Sequence, residues 1–557
     1  MGDDENISGT GSFQRRTFLG AVGATALAAG VASTLGARQS RAAPGSGGTG
    51  ALPARPNIVV IITDQERQPQ HWPPGWSEEN LPNRKRLSDT GVSFTQAFCA
   101  SAMCSPSRSS LFTGLYPSQH GVTATLTTGG TVSPSEPQLQ ASEQNMAKML
   151  ASAGYNVHYR GKWHMSKGAT GADPSTEDLA SFGFHGWVPP EAGQDTEPAN
   201  FGGGCADRDR DTARQAVDFI SQAGPASTGG DAPFALIVSF VNPHDALAYP
   251  RTWDQEDGDC DNYGSAPGAF TQGIGLPPTY GEMLATNHKP SAHVQLKALL
   301  AGGLGPLPGA GEATNYVNFY AYLQKVVDEH IGSVVDALDA VRGLREQTVV
   351  FRISDHGEMG MSHGGLRQKA FNAYEETLNV PLVISNPAMF PAPASTNALA
   401  SLVDLMPTMA TMAGVPDRGA WWLPGADLTP AMAAAARGDA GAAVQDAVLF
   451  TYDDQNAAAP DGQNVVRQPN HIRCIRDTRW KYSVYFAPDG SAFPQFELYD
   501  LQKDPLELNN KADPTNFDGF DLGKSLEMHQ RLLALLDQRS AVPPGFGSMA
   551  GLSSVGG

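Results

Sequence analysis

The chain has 557 residues, 41% of them apolar and 17% charged, and carries a formal charge of −19 at pH 7. That length allows about two or three cores, and the composition is that of a soluble globular protein. The acidity excludes nonspecific nucleic-acid binding and suits an enzyme that needs a bound cation to hold an anionic substrate.

The N-terminal segment reads as an address. Arg15 and Arg16 in "SFQRRTFLG" precede a weakly apolar run, and small residues surround a cleavage point near Ala42 or Ala43. Residues 1–43 therefore read as a twin-arginine signal peptide and imply a Tat translocase as partner, with a periplasmic or secreted destination. The alternative is a membrane helix, but the run is rich in Gly and Ala and poor in large side chains. No later run spans a bilayer, so no stable membrane anchor is expected. A Gly/Ser/Pro linker occupies 44–55, a large domain 56–440 and a smaller one 441–557.

"PNIVVIITDQ" opens the large domain with a continuous β-branched run, Ile58 to Ile62, which fits a parallel strand buried on both faces. It ends in Asp64 and Gln65. Three more strands end in chemically capable residues. "YNVHYRGKWH" leads to Lys162 and His164, "PFALIVSFVNPH" to His244, and "TVVFRISDHGE" to Asp355 and His356. Val317, Tyr320, Val327, Ile331, Val334, Leu338 and Val341 follow helical spacing between the last two. Alternating strands and helices predict an α/β fold, a doubly wound, mostly parallel sheet flanked by helices. Ligands in such folds gather outside the carboxyl ends of the strands, so these residues should share one rim.

Residues 301–314, rich in Gly and Pro, read as a surface loop. Beyond residue 440, "AVLFTYDD", "HIRCIRDTRWKYSVYF" and "FELYDL" read as short antiparallel strands, and "SLEMHQRLLALLDQRS" as an amphipathic helix, giving a C-terminal α+β unit. The five cysteines, Cys99, Cys104, Cys205, Cys260 and Cys474, leave at least one unpaired, and none has zinc-finger spacing.

The segment "CSPSRSSLFTG", from Cys104, resembles the signature of the type I sulfatases of the alkaline phosphatase superfamily, C-x-P-S-R followed by T-G. The likeness runs through most of residues 55–512, including "RPNIVVIITD", "GLYPSQHG", "GKWH", "SDHGE", "YEETLNVPL" and "ELYDLQKDPLELNN". It implies that Cys104 is oxidised to formylglycine (3-oxoalanine) by a formylglycine-generating enzyme, and that its hydrate is the nucleophile. The chemistry supports this. A gem-diol has a second hydroxyl, so it can expel sulfate by collapsing back to the aldehyde, whereas a serine sulfate cannot. The resemblance also implies roles. Arg108 braces the modified residue, Lys162 and Lys369 hold sulfate oxygens, His244 protonates the leaving oxygen, and His164 triggers sulfate release. Asp64, Gln65, Cys104, Asp355 and His356 surround one divalent cation, calcium first, with manganese or magnesium as alternatives. Asp355 is also implied as acceptor of the attacking hydroxyl's proton. The expected substrate is a small sulfate ester.

Some residues carry two readings. His120 either hydrogen-bonds the nucleophile region or pins its helix. Glu358, Glu375 and Glu376 either organise nearby loops and helix ends or are solvated caps. Trp72 and Trp76 form either an aromatic wall for the ester's organic group or the anchor of a loop. Departures from the family pattern matter too. Many sulfatases have Asp-Asp where this chain has Asp64-Gln65, and Asp-Asn or Asp-His where it has Asp355-His356. The first shell thereby loses a negative charge, which weakens calcium binding and makes manganese more acceptable. The pattern resembles the choline-sulfatase and phosphonate monoester hydrolase branch. A phosphonate monoester or phosphodiester hydrolase is thus the alternative activity, and a non-catalytic sulfate-binding protein with unconverted Cys104 a further one. Asn379 stands where Arg is common.

Overall fold

A computed structural model describes residues 55–543, apart from 130, 169–170, 172, 229–232, 258–259, 458–460 and 462–464. The expected signal peptide, and the expected linker up to residue 54, lie outside the described residues. Among those described, no helix is long and apolar enough to cross a membrane.

Seven strands form the large sheet: β1 Asn57–Thr63, β2 Gly91–Phe98, β3 Asn156–Gly161, β4 Phe234–Ser239, β5 Thr348–Ser354, β6 Leu382–Ser385 and β7 Ala394–Ser401. Their order is β3-β4-β1-β5-β6-β2-β7. The four chemistry-bearing strands are neighbours, and β3, β4, β1 and β5 all run parallel. Their carboxyl ends therefore meet on one edge, as the sequence predicts. β6 runs antiparallel to both β5 and β2.

β1, β4 and β5 are buried along their whole length. Successive side chains point to opposite faces, so Val59 and Ile61 enter one cluster and Ile58, Val60 and Ile62 the other. The first face is covered by helices α3 Arg208–Ser227 and α5 Ala310–Ala340. Val327, Ile331, Val334 and Leu338 of α5 fill it against Leu236 and Val238. The expected loop at 301–314 is mostly helix. Helix α4, Ser291–Leu304, ends there and α5 begins at Ala310, so the connection is only residues 305–309. Leu296, Leu299 and Leu300 of α4 are buried in the second core, and that burial outweighs the local Gly content.

A separate four-stranded antiparallel sheet follows: β8 Ala447–Tyr452, β9 His471–Asp477, β10 Trp480–Phe486 and β11 Gln495–Asp500. Helix α6, Leu522–Gln538, packs on it through Met528, Leu532, Leu535 and Leu536. This sheet touches the region of the first sheet's functional edge. Thr451 donates its backbone N–H to Ala100 O (2.9 Å), four residues before Cys104. Lys481, buried on β10, pairs with Glu507 and with Glu375 (3.3 Å), and Arg476 reaches Glu375 at 3.2 Å. Glu507 accepts the N–H of Glu375 at 2.8 Å. Glu375 is thus an anchor between the sheets rather than a solvated cap. Burial pushes Glu507 up to about 7, Lys481 opposing this and Glu375 adding to it.

Lys481→Met leaves the buried Glu507 carboxylate without its cation and Glu375 with Arg476 alone, and should lower stability by about 3 kcal/mol at neutral pH and above. A carboxyl whose folded pKa is raised is most stable protonated, and the penalty grows as pH rises through that pKa. Urea denaturation should therefore find a larger deficit at about pH 8 than at about pH 5.5. Equal deficits would show that these carboxylates do not carry the effect.

Candidate active site

Helix α2, Cys104–Thr113, begins at the functional edge, and all ten of its residues are buried. Cys104 is its first residue. The backbone around it is held in conformations that side chains rarely adopt. Gln65, Met103 and His164 have φ of 69°, 69° and 54°. Gln65 and His164 belong to the reaction centre and Met103 precedes Cys104, and such strain persists only where the surroundings over-determine it. Gly161 serves close approach, since a Cβ there would lie 2.0 Å from Ser239 O. Its absence lets the ends of β3 and β4 converge before Lys162.

The Cys104 Sγ lies 3.4 Å from His356 Nε2 and 3.8 Å from both Lys162 Nζ and Asp64 Oδ1. Burial alone would raise the thiol's pKa. Lys162, Lys369 and His356 more than reverse this and hold it well below the usual thiol range. Lys162 Nζ stands 2.6 Å from Asp64 Oδ2, off the hydrogen-bond direction, which leaves that oxygen without a donor. Lys162 also donates to Gly193 O. Lys369 donates to Gln65 Oε1 at 2.5 Å, and Gln65 Nε2 donates to Glu358 at 2.5 Å.

Arg108 is fully buried, and every part of its fork is used. Nε donates to Trp163 O (2.9 Å), Nη1 to Asp355 Oδ2 (3.2 Å), and Nη2 to Tyr159 OH (3.0 Å), Lys162 O and Ser239 Oγ (both 2.5 Å). Asp355 Oδ1 accepts the N–H groups of Gln65 (3.1 Å) and His356 (2.9 Å). Burial, then the like charge of Asp64, drives Asp355 up to about 6. Asp64 stays at about 2: burial and Cys104 oppose its charge, but Lys162, His244 and His356 outweigh them.

Two imidazoles face the centre. His164 Nε2 meets Leu126 O at 2.8 Å. A carbonyl only accepts, so Nε2 carries the proton and Nδ1, which has no partner, is a bare acceptor. His244 Nδ1 is likewise buried and unpartnered, and this ring approaches Cys104. Burial, then Lys162, depresses His244 to about 4. All ten residues expected from the sequence thus gather here.

Other readings are decided by packing. His120 Nε2 meets Ser110 Oγ at 3.0 Å and Nδ1 accepts the N–H of Val122 at 3.1 Å, so it pins α2 rather than touching the nucleophile. The aromatic wall is not formed. Trp72 and Trp76 are 9% and 8% exposed, pack edge to face at 4.4 Å and belong to a hydrophobic cluster with Phe201 and Tyr249. Burying both rings outweighs presenting them to solvent. Glu358 is a hub that accepts from Gln65, Tyr316, Gly360 and Gln368. Asn379 is buried, and its backbone carbonyl accepts from Gln68 at 2.8 Å. Cys205 and Cys260 form a disulfide, while Cys99, Cys104 and Cys474 are free thiols.

Sequence reasoning missed Glu191, whose carboxylate accepts the N–H groups of Trp163 and His164, both at 2.9 Å. Nothing in "VPPEAG" signals that role. Ser239 and Tyr159 were missed as well, although a serine closing the apolar run of β4 is a usable signal.

The sulfatase family model matches residues 56–415, and the model described as N-sulphoglucosamine sulphohydrolase, C-terminal, matches 363–537. A choline-sulfatase of Rhizobium meliloti is 28% identical over 484 residues, covering 82% of this chain and 83% of the relative. The uncharacterized sulfatase YidJ of Escherichia coli is 26% identical over 503 residues, covering 87% and 88%. The crystal structure of the phosphonate monoester hydrolase of Agrobacterium radiobacter shares the fold, with a TM-score of 0.59, 23% identity and coverage of 87% and 96%. An alkaline phosphatase-like α/β sheet with a buried, cation-ringed nucleophile defines a hydrolase of anionic esters. This chain belongs to the sulfatase family, and its reaction is the hydrolysis of a sulfuric ester.

His120→Ala should lower stability by about 1–2 kcal/mol through the lost Ser110 and Val122 contacts. Its kcat/KM should stay within about threefold of the parent. Thermal unfolding and a sulfate-release assay check both, and a large kinetic loss at full stability would return His120 to the chemistry.

Proposed function

We propose that the protein cleaves sulfate esters of small alcohols or phenols at residue 104, with Cys104 converted to formylglycine by a formylglycine-generating enzyme and one divalent cation beside it. Two buried cations, Lys162 and Lys369, and the imidazoles of His164 and His244, each with an unpartnered nitrogen, converge on the buried side chain of Cys104, and this observation carries the reading. Export by the twin-arginine route belongs to the same proposal. That route carries folded cargo, so a modified, metal-loaded enzyme could pass through it intact.

The residues present fit a cation. Asp64, Cys104, Asp355 and His356 each offer one ligand atom, all within 4.8 Å of one another and all buried. Burial, then the like charge of Asp64, raises Asp355, and a bound cation would relieve that repulsion. Asp64, Asp355 and His356 would hold it, with Gln65 Oε1 as a further oxygen. Carboxylate and amide oxygens favour calcium, while the imidazole makes manganese acceptable. When bound, the cation supplies positive charge that favours an ionised nucleophile and steadies a sulfate oxygen. The aldehyde's hydrate supplies two hydroxyls on one carbon, one to attack and one whose deprotonation allows release.

The chain's own groups do the rest. Lys162 and Lys369 pair with the ester's anionic oxygens. Arg108 holds the ends of β3, β4 and β5 around α2. His244 gives a proton to the leaving oxygen. Burial and Lys162 keep that ring neutral in the free site, so the ester's negative charge must offset both before it carries a proton. His164 takes a proton at Nδ1, because Nε2 is spent on Leu126.

Gln65 and His356 favour a second reading, hydrolysis of phosphonate monoesters or phosphodiesters, since a less negative first shell tolerates a different anionic centre. Turnover of an aryl sulfate should exceed that of a phosphodiester with calcium and with manganese, and a dominant phosphodiesterase rate would reverse the choice.

Mass spectrometry of the peptide containing Cys104 should find the side chain lightened by oxidation to the aldehyde. Chelation should abolish turnover, and added calcium or manganese restore it. An active protein with a free thiol, or one indifferent to chelation, ends the proposal.

His244→Ala should lose about a hundredfold or more on an alkyl sulfate and clearly less on a nitrophenyl sulfate, whose leaving group needs little protonation. Equal losses would remove His244 as the acid.

A further inference from the structure

Beside the reaction centre, three loops line a groove that is open to solvent and holds about 310 Å³ of empty space. It shares His164 and Glu191 with the site, and Gln194, in its wall, follows the residue whose carbonyl receives Lys162. Leu126, Pro174 and the carbon of Thr127 and Thr128 give it an apolar floor.

Its polar groups are biased. Among the described lining residues Lys167 is the one Lys or Arg. An ammonium has three N–H donors, and all three are used, on Ser133 O (3.0 Å), Ser133 Oγ (2.6 Å) and Glu136 Oε2 (2.8 Å). Thr127 gives its hydroxyl proton to Glu136 (2.7 Å), and Thr128 gives its own to Asp195 (2.9 Å). Both threonine oxygens can then only accept. Gln194 Oε1 is buried without a partner. Asp173 adds a carboxylate that accepts the N–H of Glu191 at 3.2 Å. The wall therefore offers acceptors and net negative charge, with no cation left for a second anion.

We propose that this groove seats the organic half of the substrate and selects a compact alcohol that donates hydrogen bonds and bears no second anionic group, such as a singly sulfated polyol or amino alcohol. The inference rests on the sulfate-ester reading above. A second sulfate or a carboxylate on the ester would lie beside Asp173 and Glu191 with no free cation to pair with, and such like-charge placement is disfavoured. Hydroxyl or ammonium protons would instead satisfy Gln194, Asp173 and the two threonines.

The test compares kcat/KM of the matured, metal-loaded enzyme on four esters: a monosulfated monosaccharide, an amino-alcohol monosulfate, a doubly sulfated monosaccharide and nitrophenyl sulfate. The first or second should exceed the doubly sulfated sugar about tenfold or more, and which of them leads tells hydroxyl from ammonium recognition. Asp173→Lys should erase or reverse that preference. Gln194→Leu, which adds no charge and threatens folding less, should lower the ratio of donor-bearing ester to nitrophenyl sulfate about tenfold. A doubly sulfated sugar that is used as well as the others overturns the inference. So do ratios that neither variant moves while nitrophenyl sulfate is hydrolysed. If no ester, nitrophenyl sulfate included, releases sulfate, the sulfatase reading itself fails and this inference with it.

Discussion

The architecture of the site depends on one buried guanidinium. Arg108 projects from the second turn of α2 and ties together the ends of three strands: β3 through Tyr159 and Lys162 O, β4 through Ser239, and β5 through Asp355. A charge without water is costly unless its donors are matched, and here Nε, Nη1 and Nη2 each find an acceptor. The same planar fork that satisfies the charge also fixes how far apart the strand ends sit. Lysine could not do this, because a point charge on a flexible stem has no fixed fork.

Around that brace the site balances charges that no protein interior would otherwise bring together. Asp64 and Asp355 repel each other, and Lys162, Lys369 and Arg108 answer them. The balance leaves Cys104 strongly acidic and His244 neutral. An incoming anionic ester changes both sides at once. It adds negative charge next to the two lysines and raises the proton affinity of the imidazoles. Asp64 Oδ2, His164 Nδ1 and His244 Nδ1 lie there without partners, as a site completed by its substrate leaves them.

Support comes from outside the large sheet. The second sheet holds the approach to Cys104 through Thr451 and fixes the Glu375 turn through Lys481 and Arg476. That turn follows the loop carrying Lys369. Positively charged β-strand residues thereby steady the segment that brings Lys369 to Cys104. The Cys205–Cys260 disulfide, bridging 55 residues of sequence, ties two loops on the His244 side. Rigid elements thus meet the reacting groups from several directions, as pre-organised chemistry requires.

Much of this was readable from local sequence. Continuous β-branched runs identify strands buried on both faces, and polar residues placed directly after them identify a functional rim, because strand ends are where a parallel sheet meets its ligands. Asp64, Lys162, His244 and Asp355 follow from that logic alone, and the segment from Cys104 identifies the family. What local sequence cannot carry is the outcome of competition between distant groups. Whether Trp72 and Trp76 face solvent or core, whether His120 meets Ser110 or the nucleophile, and that Glu191 caps the His164 turn depend on neighbours remote in the chain. Burial free energy and hydrogen-bond satisfaction are decided only when those neighbours arrive. The sequence determined which chemistry the chain carries. Tertiary structure decided which donors and charges remain unspent, because only packing consumes them.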